Sequence, residues 1–167
     1  GAAERWEGRF DASGQLRGRK RDMYEGGLRT PMIVRWPGKV AAGATDDTAW
    51  YFADVLPTLA ELTGAQVPDG LDGLSVLPTL LGQKQDLSDR YLYWEFFESG
   101  FQQAIRKGNW KGIRLALGAP LELYDLSKDE VEANNLAAQH PDVVAELEAI
   151  LATARTPSRN WPVAELD

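Results

Sequence analysis

The stretch QAIRKGNWKGIRL, residues 103–115, predicts a β-hairpin, because the tripeptide Lys107-Gly108-Asn109 separates two strand-like segments. Gly and Asn favour tight hairpin turns, since they accept backbone conformations with a positive φ angle. The aromatic-rich residues 91–97 and the short run 121–124 are typical of two further strands. Together these segments predict a four-stranded antiparallel meander.

A helix is predicted to follow the sheet. Pro141 suits the first turn of a helix, where its missing N–H is not needed. Apolar residues then recur at the three- and four-residue spacing of one helix face, namely Val144, Leu147, Leu151 and Ala154. A helix with such a stripe buries it against a sheet, so this half is predicted to be a small α+β layer.

The first half of the chain has a different organisation. Residues 32–36 form a short apolar run bounded by Pro31 and the turn residue Pro37, which predicts a buried strand. Asp54 is the predicted N-cap of a helix that ends at Gly64. The composition changes between residues 82 and 88, and this change predicts a boundary between domains 1–84 and 85–167.

The composition excludes several classes of protein. The 167 residues are 44% hydrophobic and 10% aromatic, which excludes disorder of the whole chain. No Cys is present, so disulfides, thiolate metal sites and a Cys nucleophile are excluded. The longest apolar run, residues 49–53, is far shorter than the ~20 residues that span a bilayer, so no membrane span is expected. Residues 1–11 have no apolar core of a secretory signal, so none is expected there.

The charge is negative overall but positive near the start. The chain carries a net charge of −7, which disfavours nucleic acid as a partner. Residues 1–40 contain nine Lys or Arg against five Asp or Glu, and this local excess favours a small anionic group instead. The acidic residues Asp129, Glu130 and Glu132 are expected to be solvated.

Residues 18–31, GRKRDMYEGGLRTP, are the strongest candidate for chemistry. The pair Gly26-Gly27 permits a close approach of the backbone to a ligand or to another segment. Lys20 offers a compact cation on a flexible stem, which suits a tetrahedral anion. A solvated basic loop that leads into a strand is the structural alternative, and a nucleic-acid-binding segment is a weaker one because the remaining chain is acidic.

This segment resembles the Lys-x-x-x-Tyr-Glu-Gly-Gly-x-Arg-x-Pro segment of the formylglycine-dependent sulfatases, the arylsulfatase-type branch of the alkaline phosphatase superfamily. Further likenesses follow in the family's order, and they lie at residues 32–39, 54–64, 72–82, 104–111 and 122–126. The resemblance implies a fold between α/β and α+β. Residues 1–84 would be a fragment of the alkaline-phosphatase-like α/β domain, and the four-stranded antiparallel sheet with its C-terminal helix would form the C-terminal subdomain.

The resemblance also implies a function. By position, Lys20 corresponds to the family's sulfate-binding lysine, so the complete protein is expected to hydrolyse aryl or carbohydrate sulfates. The family's formylglycine arises from a Cys/Ser-x-Pro-x-Arg motif, which this chain lacks. We therefore expect no cofactor in this chain, formylglycine and calcium in the complete protein, and no activity of the chain alone.

The aromatic run 91–97 holds two candidate substrate-binding residues, Glu95 and Phe97. Phe97 stands where sulfatases similar to this chain often carry His. Aromatic rings beside a carboxylate suit a sugar ring or an aryl group, whereas core aromatics of the sheet are the structural alternative. Two other functions stay open: a non-catalytic domain that binds substrate or a partner chain, and part of a phosphate or phosphonate ester hydrolase of the same superfamily.

A further expectation concerns self-association. The strand at residues 32–36 and the helix that begins at Asp54 would pack on a central sheet of the complete fold. Without that sheet an apolar surface and a strand edge stay uncovered, so the chain is expected to associate with itself.

Overall fold

The computed structural model describes residues 3, 9–98, 100–163 and 166. The chain divides into two compact units, of which one combines Gly1–Thr30 with Asp89–Asp167 and the other consists of Pro31–Ser88. The predicted division into domains 1–84 and 85–167 stays a prediction. The bounds of the helices are α1 Glu25–Leu28, α2 Val55–Thr63, α3 Leu77–Leu80 and α4 Pro141–Ala154, with a 3₁₀ turn at Phe52–Asp54.

The sheet of the first unit has the predicted topology. Its strands are β1 Tyr91–Phe96, β2 Gln102–Lys107, β3 Trp110–Arg114 and β4 Glu122–Asp125, in the order β1-β2-β3-β4. Each strand pairs antiparallel with the next, and Lys107 lies opposite Trp110 where the hairpin turns. Gly108 has a φ of 57°, which explains why the turn requires a residue that accepts the left-handed region. The predicted hairpin and meander are confirmed.

The sheet buries a core on each of its faces, because side chains alternate along each strand. One core combines Ala104, Ile113 and Tyr124 of the sheet with Met23 and Tyr24. The other core consists of Ile105, Leu121, Leu123, Leu147 and Leu151. Helix α4 supplies the last two of these residues, so the predicted packing of a C-terminal helix on the sheet is confirmed.

The unit Pro31–Ser88 is organised around Asp54 and Thr58. The buried Asp54 carboxylate accepts hydrogen bonds from the N–H groups of Tyr51, at 2.9 Å, and Leu74, at 3.0 Å. The Thr58 hydroxyl accepts from the N–H of Val76, at 3.0 Å. The predicted helix is present as α2, and Gly64 ends it with a φ of 70°. The Asp54 side chain does not cap this helix; it binds Tyr51 and Leu74 instead.

The predicted strand at residues 32–36 is absent, so this prediction was wrong. These residues have irregular backbone, and the Ile33 residue is 90% exposed. An apolar run forms a strand only where a neighbouring strand satisfies its backbone N–H and C=O groups. All four named strands of the described residues lie between residues 91 and 125, and they pair with one another.

Self-association through α2 is a prediction of this fold. Large apolar residues on and just before this helix are exposed at helical spacing, and they are Phe52, Leu56, Leu59 and Leu62. We expect residues 1–167 to associate, and the Leu59→Gln variant to be more monomeric, because the apolar stripe is then interrupted. Sedimentation velocity at increasing concentration measures this effect.

Glu61→Gln is the matched control, since it introduces the same residue at an exposed polar position of α2. It should sediment like the unaltered chain. A monomeric unaltered chain, or equal behaviour of the two variants, would contradict the prediction.

Candidate functional site

The crossing segment, which we define as residues 17–29, runs over the sheet face that carries Ala104, Ile113 and Tyr124. Its backbone folds closely on itself. Gly26 N–H donates to the carbonyl of Arg17 at 2.7 Å. A Cβ atom on Gly26 would lie 2.2 Å from the Gly18 carbonyl oxygen, and one on Gly27 would lie 2.0 Å from that of Asp22. The close approach that the Gly pair permits is therefore present, and the neighbouring group is the chain's own backbone.

Lys20 lies on a tight turn within the crossing segment. Asp22 N–H donates to the Arg19 carbonyl at 2.9 Å, and the Asp22 carboxylate accepts from Arg19 N–H at 2.9 Å. Arg21 has a φ of 83°, and its guanidinium forms an ion pair with Glu98. Lys20 itself is exposed. The turn thus presents the Lys20 side chain to solvent while its two ends and its neighbour are held in place.

A buried ion cluster fixes the end of the crossing segment to the sheet. Lys111 of β3 is 0% exposed, and its Nζ atom lies 2.7 Å from Oε1 of Glu25 and 2.7 Å from Oε1 of Glu132. The pair with Glu25 is a hydrogen-bonded ion pair, and the contact with Glu132 is a charge contact. The backbone N–H of Glu25 also donates to Oε2 of Glu132 at 2.6 Å.

The expectation that Glu132 is solvated was wrong, because its side chain is fully buried. Two carboxylates share one ammonium group in this cluster, so their charges are not balanced by Lys111 alone. Burial raises the pKa of Glu132, against the opposing effect of Lys111. The signal that sequence reasoning missed is long-range: the lysine that holds Glu132 lies in a strand 21 positions earlier.

Arg17 binds the crossing segment to the sheet at a second place. Its guanidinium carbon lies 3.8 Å from the centroid of the Tyr24 ring, and it donates to the Tyr124 hydroxyl at 3.1 Å and to the Glu132 carbonyl at 2.8 Å. The hydroxyls of Tyr24 and Tyr124 both donate to Oε2 of Glu122, at 2.8 and 2.7 Å. Burial raises the pKa of Tyr124 to about 12, so this hydroxyl stays a donor at neutral pH.

Glu95 lies on the opposite face of the sheet from the crossing segment. Its neighbours Trp94 and Phe96 pack with the core that contains Met23 and Tyr24, and side chains alternate along β1. The Glu95 carboxylate accepts from the Tyr93 hydroxyl at 2.7 Å and lies 3.3 Å from Nε of Arg155. The fold therefore does not bring Glu95 and Lys20 together on one face.

Phe97 lies directly after the end of β1. Its ring centroid is 5.4 Å from that of Phe101 and 5.8 Å from that of Trp161. The next residue, Glu98, is the ion-pair partner of Arg21, so the loop that carries Phe97 contacts the turn that carries Lys20. Sequence reasoning missed Phe101 and Trp161, because Trp161 is 64 positions from Phe97 and no local pattern connects them.

The described residues offer neither a metal-binding group nor a membrane-spanning helix. Within residues 9–98 and 100–163, together with residues 3 and 166, no group of three or more His, Cys, Asp or Glu side chains could hold a metal ion. The calcium expected in the complete protein thus has no ligand set in this part. No helix of the described chain is long and apolar enough to cross a membrane.

Comparison with known proteins places this architecture in one class, the C-terminal part of the sulfatases. Residues 18–156 match the family model described as "N-sulphoglucosamine sulphohydrolase, C-terminal", and the chain belongs to that family. The match covers most of the chain, including the sheet, α4 and all of the crossing segment except Arg17. The predicted family and the predicted fold class are confirmed.

Individual relatives agree with this assignment. The chain is 36% identical over 159 residues to an N-acetylgalactosamine-6-O-sulfatase of Bacteroides thetaiotaomicron. The aligned region covers 86% of this chain and 30% of that protein. The chain is 33% identical over 170 residues to human arylsulfatase A, with coverages of 85% and 33%. A solved Bacteroides thetaiotaomicron structure, described with the metabolism of multiple glycosaminoglycans, superposes with a TM-score of 0.70 at 35% identity and covers 84% of this chain and 32% of its own. The chain thus spans about a third of the length of these relatives.

The buried cluster predicts a large effect of replacing Lys111. In the Lys111→Met variant two buried carboxylates lose their shared cation, which costs about 3–5 kcal/mol of unfolding free energy. Urea unfolding followed by tryptophan fluorescence measures this loss. Lys128→Met is the matched control, because Lys128 also pairs with a carboxylate but its side chain is 81% exposed. That variant should lose at most about 1 kcal/mol, and equal losses in the two variants would contradict the interpretation.

A second prediction concerns pH. Burial raises the pKa of Glu132 above its ordinary 4.5, so above pH 4.5 the folded chain holds a proton that the unfolded chain has released. The stability contributed by this proton is therefore present at low pH and is lost as the pH rises through the folded pKa. The Glu132→Gln variant lacks this titration, so its unfolding free energy should fall less with rising pH.

Urea midpoints between pH 4.5 and pH 8 measure this slope. Glu130→Gln is the control, since the Glu130 side chain is 64% exposed and its removal should leave the slope unchanged. An unchanged slope in Glu132→Gln would show that Glu132 is not the titrating group.

Proposed function

We propose that the complete protein hydrolyses sulfate esters and that Lys20 contacts the sulfuryl oxygens of the substrate. One observation carries the assignment of Lys20: it is an exposed cation on a turn whose backbone is braced by hydrogen bonds between Arg19 and Asp22. Membership of the sulfatase family supports the reaction. Because the chain spans about a third of its relatives, the activity belongs to the proposal for the complete protein.

The chemistry of sulfate-ester cleavage requires a fixed cation. Negative charge develops on the sulfuryl oxygens and on the leaving oxygen, and a positive group already in place stabilises it without rearrangement. The hydrogen bonds between Arg19 and Asp22 fix the backbone on both sides of Lys20. A lysine is suited to this role because its ammonium group is compact and offers three donors.

The substrate class in this proposal is a sulfated carbohydrate. The names of the matched family and of the Bacteroides relative both refer to sulfated amino sugars. The basic excess around Lys20 is compatible with an anionic substituent on such a sugar. Calcium and formylglycine stay proposals for the complete protein, since the described part of this chain offers no metal ligand set and the sequence has no Cys.

The test is the Lys20→Ala variant of the complete protein. Loss of one preorganised donor of this kind costs roughly 10²–10³-fold in turnover, so kcat/KM for a sulfate ester should fall by about that factor. Lys84→Ala is the control, because Lys84 is also exposed but lies in the unit Pro31–Ser88, and its kcat/KM should not change. Steady-state kinetics with 4-nitrophenyl sulfate and 4-nitrophenyl phosphate provide the measurement.

The outcomes separate the competing functions. Unchanged turnover in Lys20→Ala would contradict the role of Lys20. Preference for the phosphate over the sulfate would indicate a phosphate ester hydrolase. Binding of a sulfated sugar without turnover of either ester would indicate a non-catalytic binding domain.

A further inference from the structure

Three aromatic side chains from distant parts of the sequence form a cluster at the end of β1. Phe97 follows this strand, Phe101 precedes β2, and Trp161 follows α4. The Phe97 ring lies 5.4 Å from Phe101 and 5.8 Å from Trp161, and the planes of Phe97 and Trp161 are inclined by only 32°. We call these three side chains the aromatic platform. Trp161 is 61% exposed, so a large apolar surface of the platform faces solvent.

The position of Trp161 is held by polar contacts rather than by burial of its ring. The Arg155 guanidinium donates to the backbone carbonyl of Trp161 at 2.9 Å, and the backbone N–H of Trp161 donates to the Ser158 carbonyl at 3.2 Å. The Arg155 side chain is itself only 6% exposed and lies 3.3 Å from the Glu95 carboxylate. A nearly buried ion pair therefore orients the segment that carries an exposed indole. The indole is therefore held in place while most of its surface stays open to a ligand.

The platform is a neighbour of the turn that carries Lys20. Glu98 follows Phe97 directly in the chain, Arg21 follows Lys20 directly, and the side chains of Glu98 and Arg21 form an ion pair. The ion pair between Arg21 and Glu98 thus connects the turn that carries Lys20 with the loop that carries Phe97 of the aromatic platform. A ligand that touches both needs an anionic substituent on a body with an apolar face.

We propose that the aromatic platform binds the apolar C–H face of a pyranose ring in a sulfated oligosaccharide, next to the sulfate that contacts Lys20. The inference rests on the proposed function, because it takes the sulfate at Lys20 from there. Glu98, which follows Phe97 directly, pairs with Arg21, and both side chains are more than half exposed. A sugar ring combines an apolar face with hydroxyl groups at its rim, and the exposed side chains of Glu98 and Arg21 can hydrogen-bond to that rim. An apolar peptide offers neither hydroxyl groups to these two side chains nor an anion to Lys20.

The Trp161→Ala variant of the complete protein tests the platform. With a chondroitin 6-sulfate tetrasaccharide as substrate, KM should rise roughly tenfold, because an aromatic contact of this size is lost. The circular dichroism spectrum and the urea midpoint of the variant should match those of the unaltered protein and show that the variant is folded. Trp161→Phe should restore most of the affinity for the tetrasaccharide. Phe10→Ala is the matched control, since Phe10 is 64% exposed, and it should behave like the unaltered protein.

Calorimetric titration with the same tetrasaccharide separates this inference from the proposed function. A dissociation constant that rises about tenfold in Trp161→Ala supports the platform even if no sulfate ester is hydrolysed. Hydrolysis of sulfate esters with equal tetrasaccharide affinity in the unaltered protein and in Trp161→Ala overturns the platform and leaves the proposed function standing. Lack of tetrasaccharide binding to the unaltered protein also overturns it.

Discussion

The rest of the first unit depends on one buried cation, the ammonium group of Lys111 between Glu25 and Glu132. A charged group that is fully removed from water is tolerated only with partners of opposite charge. Those partners come from α1 and from the chain between β4 and α4, so the sheet is complete only when both regions cover it. The cluster therefore holds the crossing segment against the sheet at Glu25. The turn that carries Lys20 belongs to the same segment.

Three arginines of the crossing segment are paired with groups of the chain itself. Arg17 binds Tyr124 and the Glu132 backbone, Arg21 pairs with Glu98, and Arg29 lies 3.5 Å from Glu25. These contacts hold the crossing segment, and Lys20 is an exposed cation on the braced turn between Arg19 and Arg21, which are also exposed. Part of the local excess of positive charge is thus engaged in contacts within the chain.

Local patterns predicted the local structure well. The turn at Gly108 and the apolar spacing of α4 depend on neighbouring residues, so the hairpin, the meander and the helix could be predicted from the sequence. The strand predicted at residues 32–36 is absent, because a strand needs a partner that the described chain does not supply. The apolar run alone does not reveal whether such a partner exists. The burial of Glu132 and the contact between Phe97 and Trp161 depend on residues far apart in sequence, which composition and spacing do not reveal.

The cluster around Lys111 can form only after a certain length of the chain has been synthesised. Glu25 precedes β1 and Glu132 follows β4, so a ribosome has made all four strands before the second carboxylate exists. Until Glu132 leaves the exit tunnel, the lysine can close on Glu25 alone, and the carboxylate that binds the Glu25 backbone N–H is missing. The contacts that hold Glu25 of the crossing segment are thus completed only late in synthesis of this chain, by a residue translated more than one hundred codons after Glu25.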